Sequence, residues 1–146
     1  MSEEVAGYEV YEGEVIYEDD YLEVRVIDKP GAGGACHEYV IQCRPTDAEV
    51  YDEYSTQAGE EPFKADRTVL GSISFQNGPI RENGVNGLTN EALLAIVEHR
   101  LNCFQAGPYP SHYNAAALAG VEFSKTVLHD RTADRKARGV EGESKA

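Results

Sequence analysis

Four basic residues, Arg131, Arg135, Lys136 and Arg138, crowd the end of a Pro-free stretch running from about Asn114 to Arg138. On a helix Arg131 and Arg135 are i,i+4 neighbours and Arg138 falls on the same side, so three guanidiniums project together. Such a group faces the N-terminal half of the chain, another subunit or an anion. It also suits a solvated final turn, where the helix dipole favours cations. At the other end of the stretch, Phe104 and Asn114 flank a Gly-Pro turn and should be neighbours. Their plainest roles are a ring closing a hairpin core and a helix cap. Gly84 to Thr89 leads into a helix N-terminus, where amide donors hold anions, although an entry turn is the simpler reading.

Other chemistry finds little support. GAGGA at Gly31 to Ala35 lacks phosphate-loop spacing and no helix follows it. Cys36, His37 and Cys43 form no CxxC or HxxxH pair, and His99, His112 and His129 are scattered, so no metal site and no cofactor are expected. No serine sits in a GxSxG-type turn. An enzyme is not excluded, but nothing argues for one.

The elements that must position these residues follow from local pattern. Thr89 caps a first helix, with Leu93, Ile96, Val97, Leu101 and Phe104 on one face; Gly107-Pro108 and Pro110 stop it. Ser111 caps a second helix, and Gly139 is the expected residue just past its end. The helices should measure about 22 and 37 Å, so an antiparallel hairpin leaves an overhang of about 15 Å at the basic tip. Upstream, Tyr8 to Tyr17, Tyr21 to Ile27, His37 to Arg44 and Val69 to Gln76 read as strands. In the second, Leu22, Val24 and Val26 share a face; in the last, Val69, Ile73 and Phe75 are buried candidates. The repeated Glu residues of the first suit an edge strand. Met1 to Gly7 should fray. Pro45 to Asp66 reads as a loop with a helical turn near Asp47 to Tyr54, and Asn77-Gly78-Pro79 as a turn. The fold class is α+β: an N-terminal antiparallel sheet (8–76), then a two-helix antiparallel hairpin (89–139), packed as a single domain.

Composition bounds the partners. The 146 residues carry a net charge of −13, all of it arising before residue 71. No dominant basic surface exists for duplex nucleic acid. No apolar run reaches the ~18–20 residues that span a membrane, and no signal pattern opens the chain, so it should stay in the cytosol where it is made. Three cysteines at unhelpful spacings should be reduced thiols.

The wording of the C-terminal half adds a family. FQNGPIRENGVNGLTNEALLAIVEHRLNCFQAGPY (Phe75 to Tyr109), Asn114 and RTADRKARGVEG (Arg131 to Gly142) resemble the phage Thoeris anti-defense sponges, whose hairpin recurs in the anti-CBASS sponges. Looser similarity extends back through the His37 strand, while Met1 to Asp20 has no counterpart. Where the family pattern has Trp-Leu before the RT motif, this chain has Val127-Leu128, and YPSHY carries more proline than usual.

The resemblance implies a non-enzymatic phage protein in the host cytoplasm. It would bind a cyclic ADP-ribose isomer made by a TIR-domain sensor, and hold it away from its effector undegraded. It further implies a cyclic di- or trinucleotide site, separate from the first, in a higher oligomer such as a hexamer. The family's site residues map to Phe104, Asn114, Arg131 and Arg135, with Arg81 and Arg138 as further candidates. Asn114 and Arg131 lie 17 positions, about 25 Å, apart on one helix. One copy cannot grip so small a molecule with both ends, whereas two antiparallel copies make two equivalent sites. In such a site the arginines would fork onto pyrophosphate, Phe104 would stack on adenine, and Asn114 would bond a base edge or ribose hydroxyl. Two alternatives from other classes stay open: an enzyme that cleaves the cyclic nucleotide, and an acidic module blocking a host protein through residues 1–66.

Overall fold

The computed structural model describes residues 2–5, 8–44 and 69–145, with backbone alone for 2–5 and 8–10. The loop and helical turn expected within Pro45 to Asp66 lie outside the described residues. Two compact units make up the chain, Met1–Ser74 and Phe75–Ala146. The class is α+β, as expected: strands fill the first unit and helices dominate the second.

In the first unit, β1 (Ser2–Val5) pairs antiparallel with β2 (Tyr8–Tyr11). The terminus expected to fray is therefore a strand. A separate antiparallel sheet has the order β3-β4-β5-β6, built from Glu14–Glu18, Leu22–Val26, Glu38–Cys43 and Val69–Ser74. The continuous strand expected over Tyr8 to Tyr17 is two strands in two sheets. Gly13 breaks it: its φ is +145°, and a Cβ there would lie 1.9 Å from the Val26 carbonyl oxygen. No other residue type makes that approach. The Glu-bearing β3 is an edge strand, as its composition suggests.

Leu22, Val24 and Val26 do share a face and are half-buried. The better-covered face is the opposite one, where Val40, Glu23 and Gln42 are buried and Gln42 is 0% exposed. Gln42 Oε1 accepts from the Tyr11 amide at 3.1 Å, and its Nε2 donates to Glu23 Oε1 at 2.8 Å. Arg25 Nε donates to the same Glu23 oxygen at 2.7 Å and Arg25 Nη1 to the Gly13 carbonyl at 3.0 Å. Burial alone would raise the Glu23 carboxyl pKa; the Arg25 and Gln42 donors and the Arg25 charge outweigh that and leave it lowered.

In the second unit a short helix α1 (Ile80–Asn83) precedes α2 (Asn90–Ala106) and α3 (His112–Ala137). The caps stand as the sequence indicates. Thr89 Oγ1 accepts from the Ala92 amide at 3.2 Å, Ser111 Oγ from the Asn114 amide at 3.0 Å, and Gly139 has φ +72°. Half-buried positions on α3 recur with alternating four- and three-residue spacing at Asn114, Leu118, Val121, Lys125, Leu128, Thr132 and Arg135. Those on α2 include Leu94, Glu98, Leu101 and Gln105. That spacing is the seam of two antiparallel helices. An ion pair between Lys125 Nζ and Glu98 crosses it. The apolar face expected of the first helix divides: Leu93 and Leu101 are half-buried, whereas Ile96, Val97 and Phe104 are exposed.

Candidate functional site

The Lys125–Glu98 pair sets the level of every other residue on the hairpin. Stepping away from it at equal rise puts Asn90 about level with Ala133, so α3 passes the start of α2 by only about 6 Å. The expected 15 Å overhang is divided between two ends, because α3 also begins beyond the last turn of α2. Arg131 thus stands beside the first turn of α2 and not past it.

Each candidate residue has a distinct setting. Arg131 is exposed and makes no hydrogen bond or ion pair among the described residues. Arg138 is exposed, and its Nε donates to Asp134 Oδ2 at 3.0 Å. Arg135 turns inward; its side chain is 14% exposed. The guanidinium donates to Glu141 Oε2 at 3.2 Å and to the carbonyls of Val140, Glu143 and Lys145 at 3.0, 2.8 and 2.7 Å. The three guanidiniums therefore do not project together.

Arg81 reaches the same region through α1. A closed set of side-chain bonds holds the loop that carries α1. Gln76 Nε2 donates to the Gly78 and Gly84 carbonyls at 3.0 and 2.8 Å, and Gln76 Oε1 accepts from the Asn86 amide at 2.9 Å. Asn86 answers by bonding both the amide and the carbonyl of Asn77, each at 2.8 Å. The Gly-rich approach is thus a tied entry turn. The Arg81 amide donates to the Gly142 carbonyl at 3.2 Å, and Arg81 Nη1 meets Glu143 Oε1 at 3.3 Å. Ile80, Arg81, Thr132, Lys136, Gly139, Glu141 and Gly142 line an open cavity of about 550 Å³ at this end. Thr132 and the Val140-Glu141-Gly142 run have no site role in the sequence reading, and Lys136 stands there only as a member of the basic cluster. The signal was present in the RTADRKARGVEG motif, but glycines and backbone carbonyls carry no chemical label there.

At the turn end, the Phe104 ring is 41% exposed with the Arg100 guanidinium 5.3 Å from its centroid. Phe104 does not close the hairpin core; it is exposed, with the Arg100 guanidinium over its ring. Gln105 performs the closing: its Oε1 accepts from the Ser111 amide at 2.9 Å and its Nε2 donates to the Ser111 carbonyl at 3.1 Å. Asn114, half-buried, follows on the cap that Ser111 makes. The candidates fall at two ends of the hairpin: Phe104, Gln105 and Asn114 near the turn, and Arg131, Arg135, Lys136 and Arg138 near the other end, where Arg81 and Lys136 share the cavity. Seventeen helical positions, about 25 Å, separate Asn114 from Arg131 within one copy.

The three cysteines are free. Among the described residues, no cluster of three metal-ligating side chains forms, and no helix is long and apolar enough to cross a membrane.

No protein-family model matches the chain. It is 44% identical over 73 residues to a curated protein, Thoeris anti-defense 1 of Bacillus phage SBSphiJ7. The match covers 50% of this chain and spans 51% of the length of that relative. The resemblance to the phage Thoeris anti-defense proteins, drawn from motifs, is thus shown over that half.

Proposed function

We propose that this relative of a phage Thoeris anti-defense protein is itself an anti-defense protein. It works in the host cytoplasm as a non-catalytic sponge for a cyclic ADP-ribose isomer. The observation that carries the reading is the match to the phage protein of that name. The arrangement of α2 and α3 supports the finer part. A stacking ring (Phe104) and an amide (Asn114) stand at one end, and an unpaired exposed guanidinium (Arg131), with Arg81, Arg135 and Arg138 near it in sequence or space, at the other.

The ligand bridges two copies. Phe123 lies midway between Asn114 and Arg131 along α3, and is 70% exposed on the side away from the seam, beside exposed Ala116, Ala119, Gly120 and Val127. Two α3 helices crossing antiparallel at Phe123 bring the Asn114 end of one copy level with Arg131 of the other. The crossing covers an apolar stripe that a lone hairpin leaves in water. Holding a micromolar signal calls for nanomolar affinity, about −12 kcal/mol. Charge-assisted bonds to pyrophosphate and base stacking are the interactions available for it. Cyclic di- or trinucleotides are candidates for a second site in a higher oligomer such as a hexamer.

The test is capture and release. The protein is incubated with mixed cyclic ADP-ribose isomers and cyclic oligonucleotides, washed, and heated, and the released nucleotide is weighed by mass spectrometry. The sponge returns an intact cyclic ADP-ribose isomer in stoichiometric amount. Linear product exceeding the protein in amount contradicts it and favours a cleaving enzyme.

A further inference from the structure

We infer that Arg135 is a positioning residue: it acts on the ligand through the C-terminal tail, residues 138–145, which its guanidinium folds into one wall of the Arg81/Lys136 cavity. The inference rests on the proposed anionic ligand and assigns the arginine a different task from direct contact.

The donor inventory carries the argument. A guanidinium has five N–H groups in a fixed planar fork. Arg135 commits Nε to Glu141, one Nη1 hydrogen to Lys145 O, and Nη2 to Val140 O and Glu143 O. One N–H remains, on a side chain that is 14% exposed. A forked grip on pyrophosphate needs two parallel N–H groups facing outward. Arg135 lacks them unless the tail is released, whereas exposed Arg131 has all five uncommitted among the described residues.

The bonds serve the tail instead. Three of its four acceptors are carbonyls of residues with no regular secondary structure to hold them, and one arginine gathers them around itself. The far side of the tail meets α1, where Gly142 O accepts from the Arg81 amide and Glu143 pairs with Arg81 Nη1. Ser144 Oγ adds a bond to Glu82 at 3.4 Å. Gly139, Glu141 and Gly142 line the cavity, with Lys136 and Arg81 completing it. Among the described residues, the backbone turn and the Arg138–Asp134 pair hold only the start of the tail to α3, whereas Arg135 holds residues 140–145; without it Arg81 loses the carbonyl that fixes its amide.

A cycle with an independent tail lesion distinguishes this from direct contact. Gly142 has φ +76°, and a Cβ there would stand 3.0 Å from Arg81 Cγ, so Gly142→Ala strains the tail where it meets Arg81 while leaving Arg135 intact. Full-length wild type, R135A, G142A and the double variant are compared in two arms. Amide exchange needs no ligand: R135A should exchange the Arg81 amide about tenfold faster or more, with α2 amides and the melting temperature little changed. The binding arm uses the cyclic ADP-ribose product that a TIR-domain enzyme makes from NAD. Each single variant should weaken retention about tenfold or more, and the double variant no more than about twofold beyond the weaker single. Unchanged Arg81 exchange in R135A, or losses that multiply in the double variant, overturn the inference. If wild type binds no nucleotide, the proposed function fails on its own, and the exchange arm still decides what Arg135 does.

Discussion

At the residue scale, the consequence of a substitution depends on what the side chain already holds. Phe104 is exposed, and its removal costs the fold little. The proposed stacking is lost, and base–aromatic contacts are worth about 1–3 kcal/mol. Phe104→Ala should therefore weaken nucleotide retention about 5- to 150-fold in titration calorimetry, with the melting temperature almost unmoved. Gln42 is the opposite case, since it is fully buried and serves Glu23 and both backbone groups of Tyr11. Gln42→Leu leaves those groups unpaired and should destabilise the first unit by about 1–3 kcal/mol in denaturant titrations. Asp28 gives a pH signature. Burial raises its carboxyl pKa, but bonds from the Glu38 and His37 amides and the nearby His37 ring outweigh that and lower it. A carboxyl with a lowered pKa stabilises the fold above its unfolded-state value and loses that contribution as pH falls through its folded value. The His37 and Glu38 amides should stay protected at neutral pH and lose protection in acid below the usual aspartate range, more than the intrinsic exchange rate explains. Hydrogen exchange followed by NMR reads this directly.

At the element scale, local chemistry was legible and long-range chemistry was not. Thr89, Ser111 and Gly139 mark the helix ends because a cap is made by a residue and its next few neighbours. The strands read correctly wherever alternation is unbroken. Tyr8 to Tyr17 did not, because Gly13 looks like one more member of the alternation until the Val26 carbonyl is placed against it. The buried face of β4 is the polar one, settled by a Gln42–Tyr11 contact 31 residues apart. Arg135 was counted among the free arginines because its acceptors are mostly backbone carbonyls, which every residue has. The hairpin seam holds one more long-range contact, the Glu98–Lys125 pair, with both side chains about three-quarters covered. Glu98→Leu strands Lys125 in the seam and should cost about 1–3 kcal/mol, while Glu98→Leu with Lys125→Leu should recover most of it. Thermal melts of the four members of that cycle measure the coupling.

At the scale of the whole molecule, the account depends on length. Asn114 stands at the turn end of the 26-residue α3, as Phe104 does on α2, and Arg131 stands near the other end of α3. A molecule of nucleotide size does not reach from one to the other, so in the proposed function the second half of the grip is assigned to a second copy. Part of this was readable in advance, since a residue count and a helical rise suffice. The exposed Phe123 stripe on which the proposed crossing is centred was not, because an exposed apolar residue looks like a core residue until the seam is known. The most direct measurement mixes two variants that each fail alone, N114A and R131A. Random pairing makes half of the dimers mixed, each with one intact site of two, so about a quarter of wild-type capacity for the TIR-derived cyclic ADP-ribose should return. A mixture that binds no more than the separate variants contradicts a site shared between copies.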